Sequence, residues 1–236
     1  MTPKDEKIAP IDASVLEELA RFTTPSVSNG IEMLRLRPRN EGFMDGSVRC
    51  LFPELGAAVG YAVTARIRAA ADGERLAPAE LWSHAVSMPK PRVVVIEDLD
   101  EPPGVGSFWG EVNANVFRAL GCIGVVINGG VRDLREMEAL GFHAFAGSIC
   151  VSHAYVRVVE VGIPVTVGGM EVRPGDLLHA DRHGVLNVPT AMVRELPAAI
   201  RAVEAEERRL IEYCQSREFD LDGLIALQNQ RRGVKH

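Results

Sequence analysis

At 236 residues, 47% hydrophobic and 25% charged, with a formal net charge of −6, the chain has the composition of an ordinary globular protein and room for one large domain or two small ones. The acidic balance argues against a broad basic surface for nucleic acid. No run reaches the roughly 18 apolar residues of a membrane span, and Cys50, Cys122, Cys150 and Cys214 form no Cys-x-x-Cys pair. The expectation is a soluble cytoplasmic protein without a membrane, zinc or disulfide framework, in which Cys122 is a small core residue.

The N-terminal residues Met1 to Lys7 carry acidic side chains and no apolar run, so no secretory signal is expected there. Asp12 is placed to cap a helix through Ala20, and Ser26 to start another toward Leu36, with residues 37–42 as a loop. Residues 59–68 and 92–96 read as strands, and the Pro- and Gly-rich stretch 101–106 as a turn-rich connection.

Trp109, Val112, Val116 and Leu120 then recur at intervals of three and four, which predicts an amphipathic helix over about residues 108–120. Its first turn holds Gly110, Glu111, Val112 and Asn113. First-turn N–H groups lack intrahelical partners and sit at the positive end of the helix dipole, so they favour a carboxylate or phosphate. The plainer alternative is that Gly110 is only a loop residue before a core helix. Residues 123–127, apolar and rich in β-branched side chains, read as a strand covered on both faces. Gly129 and Gly130 are expected to break it. Leu134, Met137 and Leu140 restart a helical spacing that Gly141 ends. Arg132 and Asp133 thus fall between a strand's carboxyl end and a helix's amino end, the usual crevice for ligands in open α/β sheets. Asp133 with Glu136 equally fits a capping box, and Arg132 a surface charge.

Beyond residue 142 the texture changes to short strands, at 155–161, 164–167, 170–173 and 185–188, with Gly168-Gly169 suited to a hairpin. Pro197 suits the first turn of a final helix whose Ile200, Val203, Leu210, Ile211 and Cys214 form one stripe. The polar tail from residue 219 has no repeat or low-complexity character, and is expected to be either mobile or an arm onto another subunit. His84, His143, His153, His179 and His183 lack metal-ligand spacing, and none is assigned to a metal. Ser148 and Ser152 lack a nucleophile elbow, which removes the main hydrolase reading. The pattern overall is an α/β sandwich.

The run Gly110-Glu111, Ala119-Leu120-Gly121 and Gly124-Val125-Val126-Ile127-Asn128-Gly129-Gly130-Val131-Arg132-Asp133 resembles the signature of the family that contains 4-hydroxy-4-methyl-2-oxoglutarate aldolase and the regulator of ribonuclease activity A (RraA). The resemblance extends in order through residues 26–30, 60–64, 141–146, 164–176 and 181–185. It implies a swivelling β/β/α sandwich with flanking N- and C-terminal helices, divided as residues 1–21 (extension and helix), 22–190 (catalytic domain) and 191–236 (helix and tail). Asn29 and Asn128 stand where the family commonly has Asp.

The resemblance further implies a retro-aldol lyase that releases pyruvate from a 4-hydroxy-2-keto acid, with oxaloacetate decarboxylation as a companion. A divalent metal, Mg²⁺ or else Mn²⁺, is expected at Asp133. Arg132 would stabilise the enolate oxygen, and the amides of Gly110, Glu111, Val112 and Asn113 would hold the substrate carboxylate. Lys4, Lys7, Lys90 and Lys235 all lie outside this set, which disfavours a Schiff-base aldolase. The expected partners are a small keto acid and further copies of the chain in a trimer or hexamer, with no nucleic acid. A non-catalytic regulator binding ribonuclease E is the alternative. A menaquinone methyltransferase is disfavoured because no Gly-x-Gly-x-Gly turn precedes a ribose-binding acid.

Overall fold

The computed structural model describes residues 8–234 apart from 71 and 74. Met1 to Lys7, Lys235 and His236, on which parts of the sequence reading fall, lie outside the described residues.

In chain order the elements are α1 (Ala13–Leu19), α2 (Thr24–Met33), β1 (Arg49–Cys50), β2 (Ala58–Arg68), α3 (Pro78–Ser87), β3 (Arg92–Asp98), β4 (Ser107–Trp109), α4 (Glu111–Ala119), β5 (Cys122–Val131), α5 (Leu134–Ala139), β6 (His143–Ile149), β7 (Arg157–Val161), β8 (Val165–Val167), β9 (Met170–Val172), β10 (Leu177–Asp181), β11 (Gly184–Val188), α6 (Leu196–Gln215) and α7 (Leu221–Val234). Among the described residues one sheet runs β1-β6-β5-β3-β2-β10-β11, with β4 joined to β5 and β7 to β2. Its centre, β2-β3-β5-β6, is parallel, so the carboxyl ends of β3, β5 and β6 share one edge.

The unbroken apolar runs of these strands follow from burial on both faces. Val63, Val94, Val125 and Ala144 point to one side, where Leu81, Phe117 and Met137 of α3, α4 and α5 cover them. Ala62, Val93, Val95, Val126 and Phe145 point to the other, under Val165, Val167, Met170 and Val172 of the β8–β9 hairpin. A helical layer, a central sheet and a second β layer make up the expected β/β/α sandwich. A third cluster packs α1, α2 and the start of α6 on β10 and β11.

Several boundaries differ from the sequence reading. β5 does not stop at Gly129 but pairs with β6 through Val131. Gly129 serves close approach rather than a turn, since a Cβ there would lie 2.3 Å from Asp98 Oδ2. α2 begins at Thr24, with the Thr23 side chain capping the Ser26 amide, rather than at Ser26. The Asp12 cap is present, and the αL Gly141 closes α5, with its N–H and that of Phe142 returning to Glu138 O and Met137 O. Within the tail, where the sequence reading placed no element, Leu221–Val234 form the helix α7. The apolar stripe of α6 is divided: Ile200 is fully buried while Ile211 is 44% exposed. No described helix is long and apolar enough to cross a membrane.

Candidate active site

The site grows from the shared carboxyl edge of the parallel strands. β4 lies against the end of β5, and Trp109 carries the chain into α4 from a fully buried position between Phe117 and Phe142, with ring centroids 5.0 and 5.5 Å away. The Arg132 N–H donates to Trp109 O at 3.0 Å. This packing holds the glycine-led helix start against the Arg132-Asp133 turn.

The helix starts at Glu111, not at Phe108, and counting from Trp109 therefore misplaced its buried face. Ala114 and Phe117 are buried, whereas Val112, expected in the core stripe, is 75% exposed. The first backbone bond of α4 runs from Ala114 N–H to Gly110 O, so the amides of Val112 and Asn113 precede the ladder.

Asp133 is the least ordinary residue here. It sits at φ +54°, ψ +46° in the left-handed region and makes no side-chain cap on its own helix, so the capping box expected with Glu136 is absent. Asp tolerates this conformation better than most residues but still at a cost. Its carboxylate turns instead to the neighbouring helix, where Oδ2 accepts the Glu111 N–H at 3.0 Å. Gly110 is required by that contact, because a Cβ would lie 2.4 Å from Oδ2. Arg132 Nε is 3.7 Å from the same oxygen, a loose pair with both side chains more than a third exposed.

These groups line a cavity of about 370 Å³. Gly110, Val112, Asn113, Arg132 and Asp133 are all on its wall, together with Trp82, Phe108 and Val156. Glu111 contributes its amide, already engaged by Asp133, and its side chain is not part of the wall. Asn128 does not aim at this cavity: its Oδ1 accepts the Asp98 N–H at 2.7 Å and its Nδ2 donates to Asp98 O at 3.0 Å. Asn29 lines a different cavity, between α2 and α6. Lys90 lies against Gly121 at the amino end of β3 and β5, the opposite end of these strands from Arg132.

The wall also holds Arg75 and Arg157, which the sequence reading did not single out, and His153, which it weighed only as a metal ligand and set aside. His153 follows β6, whose carboxyl end neighbours that of β5, and that adjacency was the available signal. It was invisible without knowing that β5 and β6 are paired.

Among the described residues no three His, Cys, Asp or Glu side chains converge on a cation position. The one carboxylate on this wall is that of Asp133, and its protein contacts use Oδ2, leaving Oδ1 without a protein partner among the described residues. One carboxylate oxygen beside an open cavity suits a hard cation that keeps most of its water, as Mg²⁺ does, and does not suit a closed zinc centre.

Comparison with known proteins agrees with this architecture. Over 84 residues the chain is 38% identical to 4-hydroxy-4-methyl-2-oxoglutarate aldolase of Thermus thermophilus, covering 35% of this chain and 48% of that one. The chain spans about half the length of the curated relatives it matches. Among solved structures, an uncharacterized protein of Pseudomonas syringae superposes with a TM-score of 0.70 at 25% identity, covering 92% and 99% of the two chains. RraAS2 of Streptomyces coelicolor, described as an unusual member of the RNase ES inhibitor RraA family, superposes at 0.63 and 20% identity, covering 87% and 98%. The profile of the RraA-like family, aldolase/RraA, matches residues 24–187, and the chain belongs to that family.

Proposed function

We propose that this chain is a divalent-metal-dependent lyase that cleaves a 4-hydroxy-2-keto acid or diacid to pyruvate and a second carbonyl compound, with oxaloacetate decarboxylation as a side activity. The observation that supports this most directly is the joining of Arg132, Asp133 and the first turn of α4 on one cavity wall. The name of the Thermus relative points the same way.

In this reading the amides of Val112 and Asn113 receive the substrate carboxylate, for which a helix start is suited. Arg132 donates to the 2-keto oxygen and stabilises the negative charge that grows there as the C3–C4 bond breaks. Asp133, water and the substrate's own oxygens would hold Mg²⁺ or Mn²⁺. When bound, such an ion supplies Lewis-acid polarisation of the keto group. Trp82, Phe108 and Val156 give the cavity apolar walls that exclude water from the reacting carbons.

The distal part of the substrate has no evident wall within one chain. Ile211, Leu221 and Ile225 of α6 and α7 are each more than two-fifths exposed, and we assign them to contacts between copies in a trimer or hexamer. A regulator of a ribonuclease is the alternative role, and its support from RraAS2 is a likeness of fold.

The test is pyruvate release from a 4-hydroxy-2-keto diacid and from oxaloacetate. Activity should vanish with EDTA and return with Mg²⁺ or Mn²⁺. Full activity after rigorous metal removal would refute the metal dependence, and absence of pyruvate from both substrates would refute the lyase.

A further inference from the structure

We infer that His153 is the proton-transfer group of this cavity, carrying the proton from the substrate hydroxyl to the enolate carbon. The inference rests on the lyase reading above.

His153 shares the cavity wall with Arg132 and Asp133 and reaches it from the segment after β6. Its Nδ1 lies 2.7 Å from the Ala154 carbonyl oxygen. A carbonyl oxygen only accepts, so Nδ1 carries the hydrogen, and in the neutral ring Nε2 is then the basic nitrogen. The tautomer is fixed by the fold, as for a base oriented by a second group.

The turn that fixes it is built at a cost. Ala154 is held at φ +45°, a left-handed conformation that a non-glycine residue adopts only where its surroundings impose it. The surroundings here do so. The Ala154 N–H donates to Ser152 Oγ at 2.9 Å, the Ser107 N–H to Ser152 O at 3.0 Å and the Val156 N–H to His153 O at 3.1 Å. Gly106 permits the approach, because a Cβ there would lie 2.7 Å from His153 O and 2.9 Å from the Ala154 Cβ. The turn is thus tied to β4, the strand that also delivers Gly110. The ring itself is exposed, and these bonds fix where its backbone enters the cavity wall.

The chemistry balances without any further reactant. Nε2 takes the proton of the C4 hydroxyl, and the O–H electron pair forms the new C4 carbonyl. The C3–C4 bond breaks, and its pair becomes the C2–C3 double bond of the enolate, whose oxygen Arg132 faces. The imidazolium then returns the proton to C3, giving pyruvate and a neutral ring. Arg132, fixed in charge, cannot relay a proton, and Asp133 is committed to the Glu111 amide and the cation.

The decisive variants are His153→Asn, which keeps an N–H near the Nδ1 position for the Ala154 carbonyl but removes the base, and His153→Ala. Both should lower kcat for pyruvate release by about 10²-fold or more, the usual share of a general acid–base group, with KM little changed. Deuterium uptake into the pyruvate methyl group in D₂O should fall in parallel, and added imidazole should restore part of the His153→Ala rate. Independently of turnover, nitrogen spectra of histidine-labelled protein should show, for the resonance missing from His153→Asn, a hydrogen on Nδ1. Wild-type rates in His153→Asn, or a hydrogen on Nε2 instead, would overturn the assignment while leaving the lyase reading intact. A wild-type protein that releases no pyruvate from either substrate would overturn both.

Discussion

Twice among the described residues a carboxylate from one element accepts the N–H at the start of a helix that is not its own. Asp181 Oδ2 takes the Thr24 amide of α2 and Asp133 Oδ2 takes the Glu111 amide of α4, each at 3.0 Å. The surroundings make them different devices. Asp181 is 6% exposed and stands beside a wholly buried His179, whose Nε2 donates to Leu19 O and whose Nδ1 accepts from Thr24 Oγ1 at 2.9 Å. Nearly every polar atom there has a protein partner, and the network staples α1 and α2 to β10. Around Asp133 the same bond sits on a cavity wall, with a loose arginine at 3.7 Å and an uncommitted second oxygen. A satisfied network holds structure, and an unsatisfied one is available to a ligand.

If that distinction is sound, the open site should govern turnover and the closed one stability. The largest effect is expected from Arg132→Lys, which keeps the charge but loses the planar fork. Pyruvate release should drop by about 10²-fold or more, with the melting temperature unchanged. An equal loss of stability would place Arg132 on the structural side of the comparison.

Asp181→Ala should do the reverse. It leaves the Thr24 amide buried without an acceptor, a loss of about 1–3 kcal/mol, measurable by chemical denaturation. A variant as stable as the wild type would show that this network staples nothing.

The closed network should also read out pH. Burial pushes the His179 imidazole below its ordinary value, and protonation would force the Thr24 hydroxyl to turn from donor to acceptor. The unfolded chain binds that proton near pH 6.5. Stability is therefore complete above about 6.5 and falls as pH drops toward the folded value, by at most about 1.4 kcal/mol per pH unit from this group. His179→Gln should flatten this part of the curve. An unchanged slope in the variant would move the acid sensitivity elsewhere.

The last and smallest expected effect is that of Asp133→Asn. Stability should change by less than about 1 kcal/mol, as for partly exposed positions, while binding of Mg²⁺ or Mn²⁺ weakens. Titration calorimetry with metal alone separates the two, and unaltered affinity would remove Asp133 as the anchor.

The pair of bridges also shows how far the amino-acid order reaches. Apolar runs such as residues 92–96 and 123–127 announced buried strands because both faces of each are covered, and Asp12 and Gly141 announced helix ends through local backbone chemistry. The run from Gly110 to Asp133 carried the family resemblance and, with it, the candidate residues. Reading helical phase failed at Trp109 because that side chain belongs to a strand, and α7 was passed over because a polar helix leaves little apolar periodicity.

Sequence by itself thus determined an α/β sandwich and the presence of Arg132 and Asp133 at a strand-to-helix turn, since these depend on spacing and local conformation, while the β/β/α type came with the family resemblance. Only the tertiary structure decided what those residues face. The pairing of β5 with β6 brings His153 to the same wall, and the packing of Trp109 brings Gly110 within reach of the Asp133 carboxylate. Contacts between residues 20 or more positions apart are set by which strands are neighbours, and no local pattern along the chain encodes that choice.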